Sequence, residues 1–202
     1  MPKKQSKLNI VLDLDATLIC AESSEDFDFK NNMFKACKFK FHDMDGYYIV
    51  FERPGLQEFL DFLFKNFTVS IWTAASKDYA LYIIDNIILP ENKPDRKLDW
   101  AFFSYHCDIS KEKKKASKSL SMFWDEYKMV GYTKDNTLIL DDYDEVYNTQ
   151  KDNCVIVKDF AFDKEGSEND NFLPLLQKAL SKATPGNPAK SVNLFTGAKH
   201  KK

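Results

Sequence analysis

The stretch LNIVLDLDATLI, residues 8–19, decides the fold class of this chain. Its opening run is apolar and β-branched and carries no charge, which is typical of a strand buried on both faces inside a parallel sheet. Asp13 and Asp15 follow at the carboxyl end of that strand. Open α/β sheets bind their ligands at this end of the strands. The stretch therefore predicts an α/β fold with a site at the two aspartates.

Asp13 and Asp15 are separated by one leucine, so both carboxylates point to the same side of an extended strand. Burying an ionised carboxylate costs several kcal/mol unless a cation or a shared proton compensates it. Most aspartates at strand ends simply cap the following helix. That interpretation leaves both charges uncompensated, because no basic residue follows closely. We therefore favour a binding site over a cap.

Apolar patterns of strand and helix type alternate along the rest of the chain. The predicted strands are residues 69–74, 101–104, 137–140 and 154–157, and the predicted helices are residues 56–67, 80–88, 120–127 and 171–183. This alternation predicts a Rossmann-like parallel sheet flanked by helices on both faces. The lysine-rich residues 111–118 are expected to form a polar connection.

An insertion is expected at about residues 20–53, directly after the first strand. Residues 37–41 alternate apolar and lysine side chains, residues 47–51 are aromatic and β-branched, and Asp45-Gly46 between them is a turn signal. This pattern predicts a small β-hairpin, and we expect no large cap domain. Residues 184–202 are rich in Pro, Gly, Asn and Lys, so we expect a single domain over residues 1–183 followed by a flexible basic tail.

Length and composition exclude several classes of protein. The 202 residues, with 44% hydrophobic and 14% aromatic side chains, suffice for one packed core. No apolar run approaches the roughly 20 residues of a membrane span, and a net charge of −2 gives no general attraction to nucleic acid. The 4 cysteines are scattered without a pair. We expect a soluble intracellular monomer that binds neither membrane nor nucleic acid.

Polar residues also end two later strands of the predicted sheet. Thr73 lies at the end of one, and the pair Asp141-Asp142 at the end of another. Because carboxyl ends of parallel strands share one edge, we expect these residues to meet Asp13 and Asp15. Clustered carboxylates without cysteine or histidine suit a hard cation such as Mg²⁺. A carboxylate can also attack phosphorus, so the pattern favours phosphoryl transfer.

Five short motifs resemble those of a known family. DLDAT (residues 13–17) resembles the Asp-x-Asp-x-Thr signature of the haloacid dehalogenase superfamily. RPG (53–55), WTAAS (72–76), KSL (118–120) and LDD (140–142) resemble, in order, the pattern of its small phosphatases of the NLI-interacting factor-like family. Those enzymes act on the carboxy-terminal domain of RNA polymerase II. The resemblance covers roughly residues 8–180 and implies hydrolysis of phosphoserine or phosphothreonine in proteins.

The resemblance implies a role for each residue of the site. Asp13 would take the phosphoryl group as nucleophile, and Asp15 would protonate the leaving oxygen and later deprotonate the attacking water. Thr73 would bind the phosphate oxygens, and Lys118 would neutralise their charge. Ala16 stands where these phosphatases usually carry Glu, at a position without a chemical role. By itself, Lys118 is better explained as one of a solvated run of lysines, and only its Lys-Ser-Leu context singles it out.

The resemblance also implies a Mg²⁺ site made by Asp13, Asp15, Asp141 and Asp142. Asp15 would contact the ion through its backbone carbonyl, and Asp141 would support the ion or orient the lysine. Tyr143 follows this pair where Ser-Pro is typical, which puts the detailed peptide preference in question.

Two alternatives stay open. The same chemistry could hydrolyse a small phosphometabolite or a nucleic-acid 3′ phosphate. The absence of a large cap domain weighs against the first substrate, and the acidic net charge weighs against the second. A catalytically silent protein-binding module is the other alternative. Such modules usually lose one or more motif acids, whereas Asp13, Asp15 and Asp142 are all present.

Overall fold

The computed structural model describes residues 7–193, and a five-stranded parallel sheet lies at its centre. The strands are β1 (Asn9–Leu12), β2 (Ile19–Ser23), β3 (Phe41–Met44), β4 (Tyr48–Glu52), β5 (Thr68–Trp72), β6 (Leu98–Phe102), β7 (Thr137–Asp141) and β8 (Cys154–Ile156). The order across the central sheet is β6-β5-β1-β7-β8. The first strand in sequence is therefore the middle strand in space.

The position of β1 fixes where the aspartates lie. It pairs in parallel with β5 on one side and with β7 on the other, so that Leu12 stands opposite Ile71 and Leu140. The backbone N–H of Asp13 donates to the carbonyl of Leu140 at 3.0 Å. The carboxyl ends of the three central strands consequently meet at one point of the sheet edge.

Helices cover both faces of the sheet, as the sequence predicts. They are α1 (Phe29–Ala36), α2 (Leu56–Asn66), α3 (Lys77–Ile83), α4 (Ser104–Lys114), α5 (Asp144–Thr149), α6 (Phe172–Leu180) and α7 (Pro188–Asn193), with π-helical segments at Ile84–Ile88 and Met122–Glu126. Ile10 and Leu12 pack with α2, α3, α6 and α7, whereas Val11 packs on the opposite face with α4 and α5. The predicted α/β class is confirmed. Within residues 7–193, no helix is long and apolar enough to cross a membrane.

The insertion after β1 is larger than the predicted hairpin. It forms a three-stranded antiparallel sheet in the order β2-β4-β3, together with α1. The predicted turn at Asp45-Gly46 joins β3 to β4. The prediction of a strand from residue 37 is wrong: Cys37 ends α1, and the buried ring of Phe39 packs among other phenylalanines before β3 begins. One buried aromatic side chain between lysines gave the alternation of apolar and polar residues that is typical of a strand.

The prediction of a polar connection at residues 111–118 is also wrong for residues 111–114, which belong to α4. Those lysines form the last turn of α4, where cations interact favourably with the helix dipole. Lys113 and Lys114 pair with Glu126 and Asp125 at 3.0 and 3.1 Å. Charge pairing with a neighbouring segment therefore stabilises a helix whose own apolar stripe is weak.

The expected tail begins too early. Pro188–Asn193 forms α7, and its Ala189 and Val192 are buried against the core that also contains α6. The N–H of Gly186 donates to the carbonyl of Asp135 at 2.7 Å, which ties the preceding segment to the start of β7. Packing thus continues to Val192, and residues 194–202 of the expected tail lie outside the described residues.

We expect Val192→Ala to lower the free energy of unfolding by about 2 kcal/mol, because the change removes buried methyl groups and leaves a cavity. Urea denaturation followed by circular dichroism measures this loss. Lys190→Ala, an exposed position on the same helix, is the control and should change stability by less than about 0.5 kcal/mol. Equal stability of the two variants would show that α7 is not part of the packed domain.

Candidate active site

A cavity of about 550 Å³ opens at the sheet edge where β1, β5 and β7 end. All six residues that the sequence singled out line it: Asp13, Asp15, Thr73, Lys118, Asp141 and Asp142. Tyr143, whose side chain is exposed, lies at the same cavity, as do Lys111 and Glu145. The structure thus brings residues from four distant parts of the chain to one place.

A tight turn, rather than an extended strand, directs Asp15 into the cavity. β1 ends at Leu12, and the chain then turns so that the N–H of Leu18 donates to the carbonyl of Leu14 at 2.8 Å. Ala16 occupies the left-handed region with φ 55°, and its carbonyl accepts from Phe160 N–H at 2.7 Å. The expected strand through residue 15 is therefore too long, although both aspartates still line one site.

Arg53 holds the backbone of this turn through its guanidinium group. Its guanidinium donates to the carbonyl of Thr17 at 3.0 Å and to that of Lys158 at 2.8 Å. It also makes a two-pronged ion pair with Asp170 at 3.0 and 3.1 Å. Because Arg53 is fully buried, this pairing satisfies its charge and fixes the backbone of the turn. The RPG motif is thus an anchor for the turn and does not line the cavity.

Lys118 supplies a counter-charge for two of the acids. Its Nζ lies 2.6 Å from Asp13 Oδ1 and 2.8 Å from Asp141 Oδ2, and all three side chains are buried. Burial alone would lower the pKa of Lys118, but the two carboxylates outweigh it and the pKa is raised. Lys118 is therefore charged in the site. The sequence showed no cation near Asp13, because this one comes from a distant segment.

Two side chains of the segment after β7 hold Lys118 in place. Gln150 donates to the carbonyl of Lys118 at 2.8 Å and accepts from the N–H of Leu120 at 2.9 Å. Glu145 accepts from the hydroxyl of Ser117 at 2.5 Å. Sequence analysis missed both Gln150 and Glu145, since neither lies in a recognisable motif. Only the fold brings them to the lysine.

Three carboxylates form a compact acidic cluster. One oxygen each of Asp13, Asp141 and Asp142 can be chosen so that all lie within 4.8 Å of one another. The Thr17 hydroxyl lies 3.1 Å from Asp142 Oδ1 and 3.4 Å from Asp13 Oδ2. Burial, reinforced by the Asp13 charge, raises the pKa of Asp142 to about 6 and also raises the pKa of Asp141. This all-oxygen donor set suits Mg²⁺.

Asp15 differs from the other three acids. Its carboxylate is not in the acidic cluster, and its Oδ1 accepts a hydrogen bond of 2.5 Å from the hydroxyl of Tyr79 on α3. Burial raises the pKa of Asp15, and the Tyr79 hydrogen bond offsets only part of that shift. The side chain of Asp15 thus stands apart from the acidic cluster and is bonded to Tyr79. Tyr79 was not among the predicted site residues.

Thr73 closes the opposite side of the cavity at the end of β5. Its backbone N–H donates to the carbonyl of Phe102 at 3.0 Å, and its Oγ1 accepts from the N–H of Ala75 at 3.0 Å. This arrangement leaves the hydroxyl hydrogen of Thr73 for an acceptor in the cavity. Together with the Lys118 ammonium it forms a surface suited to an anion.

Comparison with known proteins assigns the chain to a family. Residues 8–189 match the family described as NLI interacting factor-like phosphatase. The CTD phosphatase-like protein 355R of Invertebrate iridescent virus 6 is 48% identical over 178 residues, which cover 86% of this chain and 97% of the relative. Its counterpart in Invertebrate iridescent virus 3 is 44% identical over 185 residues, covering 89% and 98%. The chain therefore belongs to the NLI interacting factor-like phosphatase family.

Two solved structures share the fold. One is Fcp1, an RNA polymerase II CTD phosphatase, with a TM-score of 0.52 and 21% identity over 77% of this chain and 43% of Fcp1. The second is a variant of fission yeast RNA polymerase II CTD phosphatase Fcp1 bound to beryllium fluoride. Its TM-score is 0.54, and the 20% identity extends over 81% of this chain and 48% of the Fcp1 chain. The chain thus spans less than half the length of these structures. The likeness confirms the predicted fold, a parallel sheet flanked by helices.

We expect Lys118→Met to lower the free energy of unfolding by about 3 kcal/mol in metal-free buffer at pH 8, because two buried carboxylates lose their shared ammonium. The loss should shrink at pH 5. Without the ammonium, the folded-state pKa of Asp141, which is already raised, rises further above its unfolded value, so protonation at low pH relieves the variant. Urea denaturation at both pH values measures this effect.

The control for this experiment is Lys111→Met, which removes an exposed ammonium at the same cavity. It should change stability by less than about 0.5 kcal/mol at either pH. If Lys118→Met were as stable as the wild type at pH 8, the ion pairs with Asp13 and Asp141 would not stabilise the folded chain.

Proposed function

We propose that this chain is a Mg²⁺-dependent protein phosphatase that hydrolyses phosphoserine or phosphothreonine through a phosphoaspartate at Asp13. The observation that carries the proposal is the contact of Asp13 Oδ1 with the Lys118 ammonium at 2.6 Å, at the end of the central strand. A carboxylate held this rigidly beside a cation and an anion-binding surface is suited to attack a phosphate group. The family assignment supports the same conclusion.

In the first half-reaction, an oxygen of Asp13 forms a bond to phosphorus while the bond from phosphorus to the seryl or threonyl oxygen breaks. Asp15 gives its proton to that leaving oxygen, and burial favours the protonated form that this step requires. Lys118 and the hydroxyl of Thr73 bind the phosphoryl oxygens as charge shifts among them. The dephosphorylated peptide then leaves.

In the second half-reaction, the ionised Asp15 takes a proton from a water molecule. The water oxygen bonds to phosphorus while the bond between phosphorus and Asp13 breaks, which releases phosphate and restores both aspartates. One carboxyl group thus acts first as acid and then as base. The side chains of Asp13, Asp141 and Asp142 would hold Mg²⁺, together with the backbone carbonyl of Asp15. The bound ion would offset negative charge on the transferring group.

The proposed substrate is the phosphorylated carboxy-terminal domain of RNA polymerase II or a similar peptide. The viral relatives are named for this domain, and Fcp1 acts on it. The small insertion leaves the cavity open to a chain that passes over it. A silent binding module is disfavoured, because the acids at positions 13, 15, 141 and 142 are all present and converge on one cavity.

We expect Asp13→Asn to reduce phosphate release from phosphoserine peptides by at least about 1,000-fold, because the amide is not a nucleophile. The panel should include polymerase repeats phosphorylated at different positions and small phosphate esters, each assayed with Mg²⁺ and with a chelator. The wild type should prefer phosphopeptides and should need Mg²⁺.

The matched control is Asp108→Asn, an exposed aspartate on α4 outside the cavity, which should retain activity within about twofold. Both variants should remain folded by circular dichroism. Full activity of Asp13→Asn would refute the phosphoaspartate. A preference for small esters over every phosphopeptide would refute the proposed substrate class.

A further inference from the structure

Tyr79 makes a contact that the mechanism above does not use. Its hydroxyl lies 2.5 Å from Asp15 Oδ1, and this oxygen is the only Asp15 side-chain acceptor for which a protein partner is found among the described residues. Burial, followed by the charge of Asp15, raises the pKa of the Tyr79 phenol well above its usual value. The phenol therefore keeps its proton and acts purely as a donor to the carboxyl group.

We infer that Tyr79 is a positioning residue that fixes Asp15 so that Oδ2 faces the reacting phosphate and carries the transferred proton. The inference rests on the proposed function and deepens it. A carboxyl group whose Oδ1 accepts from a fixed donor holds its proton preferentially on Oδ2, because the protonated oxygen of a carboxyl group is the weaker acceptor. A half-turn of the carboxyl group only exchanges its two oxygens, so one oxygen always accepts from Tyr79 and the other is left for the reacting phosphate.

The proton accounting follows from this arrangement. Asp15 Oδ2–H gives its proton to the leaving oxygen as the bond from that oxygen to phosphorus breaks and the bond from Asp13 forms. Oδ2 then takes a proton from water as the water oxygen bonds to phosphorus and the Asp13 bond breaks. Tyr79 donates to Oδ1 in both steps and neither gains nor loses a proton. Its hydrogen bond strengthens when Asp15 is charged, which assists the first transfer.

The inserted sheet holds the ring of Tyr79 in place. Tyr48 on β4 contacts it edge to face, with ring centroids 5.4 Å apart and an interplanar angle of 81°. On the same helix, the hydroxyl of Tyr82 donates to the carbonyl of Asp43 at 2.8 Å. The first part of α3 is thus joined to the insertion on one side and to Asp15 on the other. The contacts with Tyr48 and Asp15 explain why the side chain of Tyr79 has a defined orientation beside the cavity.

The test compares two leaving groups in Tyr79→Phe, which retains the ring. A phosphoserine peptide releases an alkoxide that needs a proton, whereas p-nitrophenyl phosphate releases p-nitrophenolate, which does not. Rapid-mixing experiments measure the first phosphoryl transfer for each. We expect a loss of about 10- to 100-fold for the peptide, with KM within about twofold, and a loss below about threefold for p-nitrophenyl phosphate.

The matched control is Tyr82→Phe, which removes a hydroxyl from the same helix without touching Asp15. It should leave both rates within about twofold of the wild type. Equal losses of Tyr79→Phe with the two substrates, or no loss with the peptide, would overturn the inference. An active wild type would still support the proposed function. A wild type inactive toward both substrates would overturn the two together.

A crystal structure of the wild type tests the same point without relying on a variant. We expect the Tyr79 hydroxyl within about 3 Å of one Asp15 carboxyl oxygen, and the other oxygen directed toward a bound phosphate analogue. The oxygen bonded to Tyr79 directed toward the analogue, or a Tyr79 hydroxyl more than about 4 Å from the carboxyl group, would overturn the inference.

Discussion

The ion pairs of the Lys118 ammonium with Asp13 and Asp141 neutralise part of the negative charge of this site, and the rest of the structure depends on them. One positive charge faces three clustered carboxylates, because Asp142 completes the acidic cluster. Burial raises the pKa values of Asp141 and Asp142, and repulsion from the Asp13 charge raises them further. A second cation would remove this repulsion and let all three acids ionise, which is why the geometry favours a divalent ion beside the lysine.

The rest of the fold keeps these charges in place. β1 is the middle strand of the sheet, so Asp13 cannot move without disturbing the pairing on both sides. Arg53 holds the turn that follows β1, and Gln150 holds the segment that carries Lys118. Each of these supports comes from a part of the chain remote from the residue that it holds. A rigid frame of this kind suits a reaction that depends on positioning and charge.

Sequence reasoning found the local features and missed those that arise only on folding. The buried strand before Asp13 was predictable because its apolar run is continuous, and the acids at the strand ends followed from parallel topology. Helix α4 was missed because only Cys107 and Ser110 are buried along it, which gives no clear apolar stripe, and α7 because two apolar residues in a polar stretch give little signal. The contact between Tyr79 and Asp15 has no sequence signature, since a tyrosine in a helix usually belongs to the core.

The most direct test of the account is a calorimetric titration of the wild type with Mg²⁺ at pH 5, 6 and 7, beside Asp142→Asn. As proposed ligands, Asp141 and Asp142 would both lose their protons on binding, and both pKa values are raised, that of Asp142 to about 6, so affinity should weaken by about tenfold or more for each pH unit below this value. Asp142→Asn should bind more weakly and with less dependence on pH. Absence of Mg²⁺ binding at every pH, or an affinity unchanged by pH and by the substitution, would contradict the account.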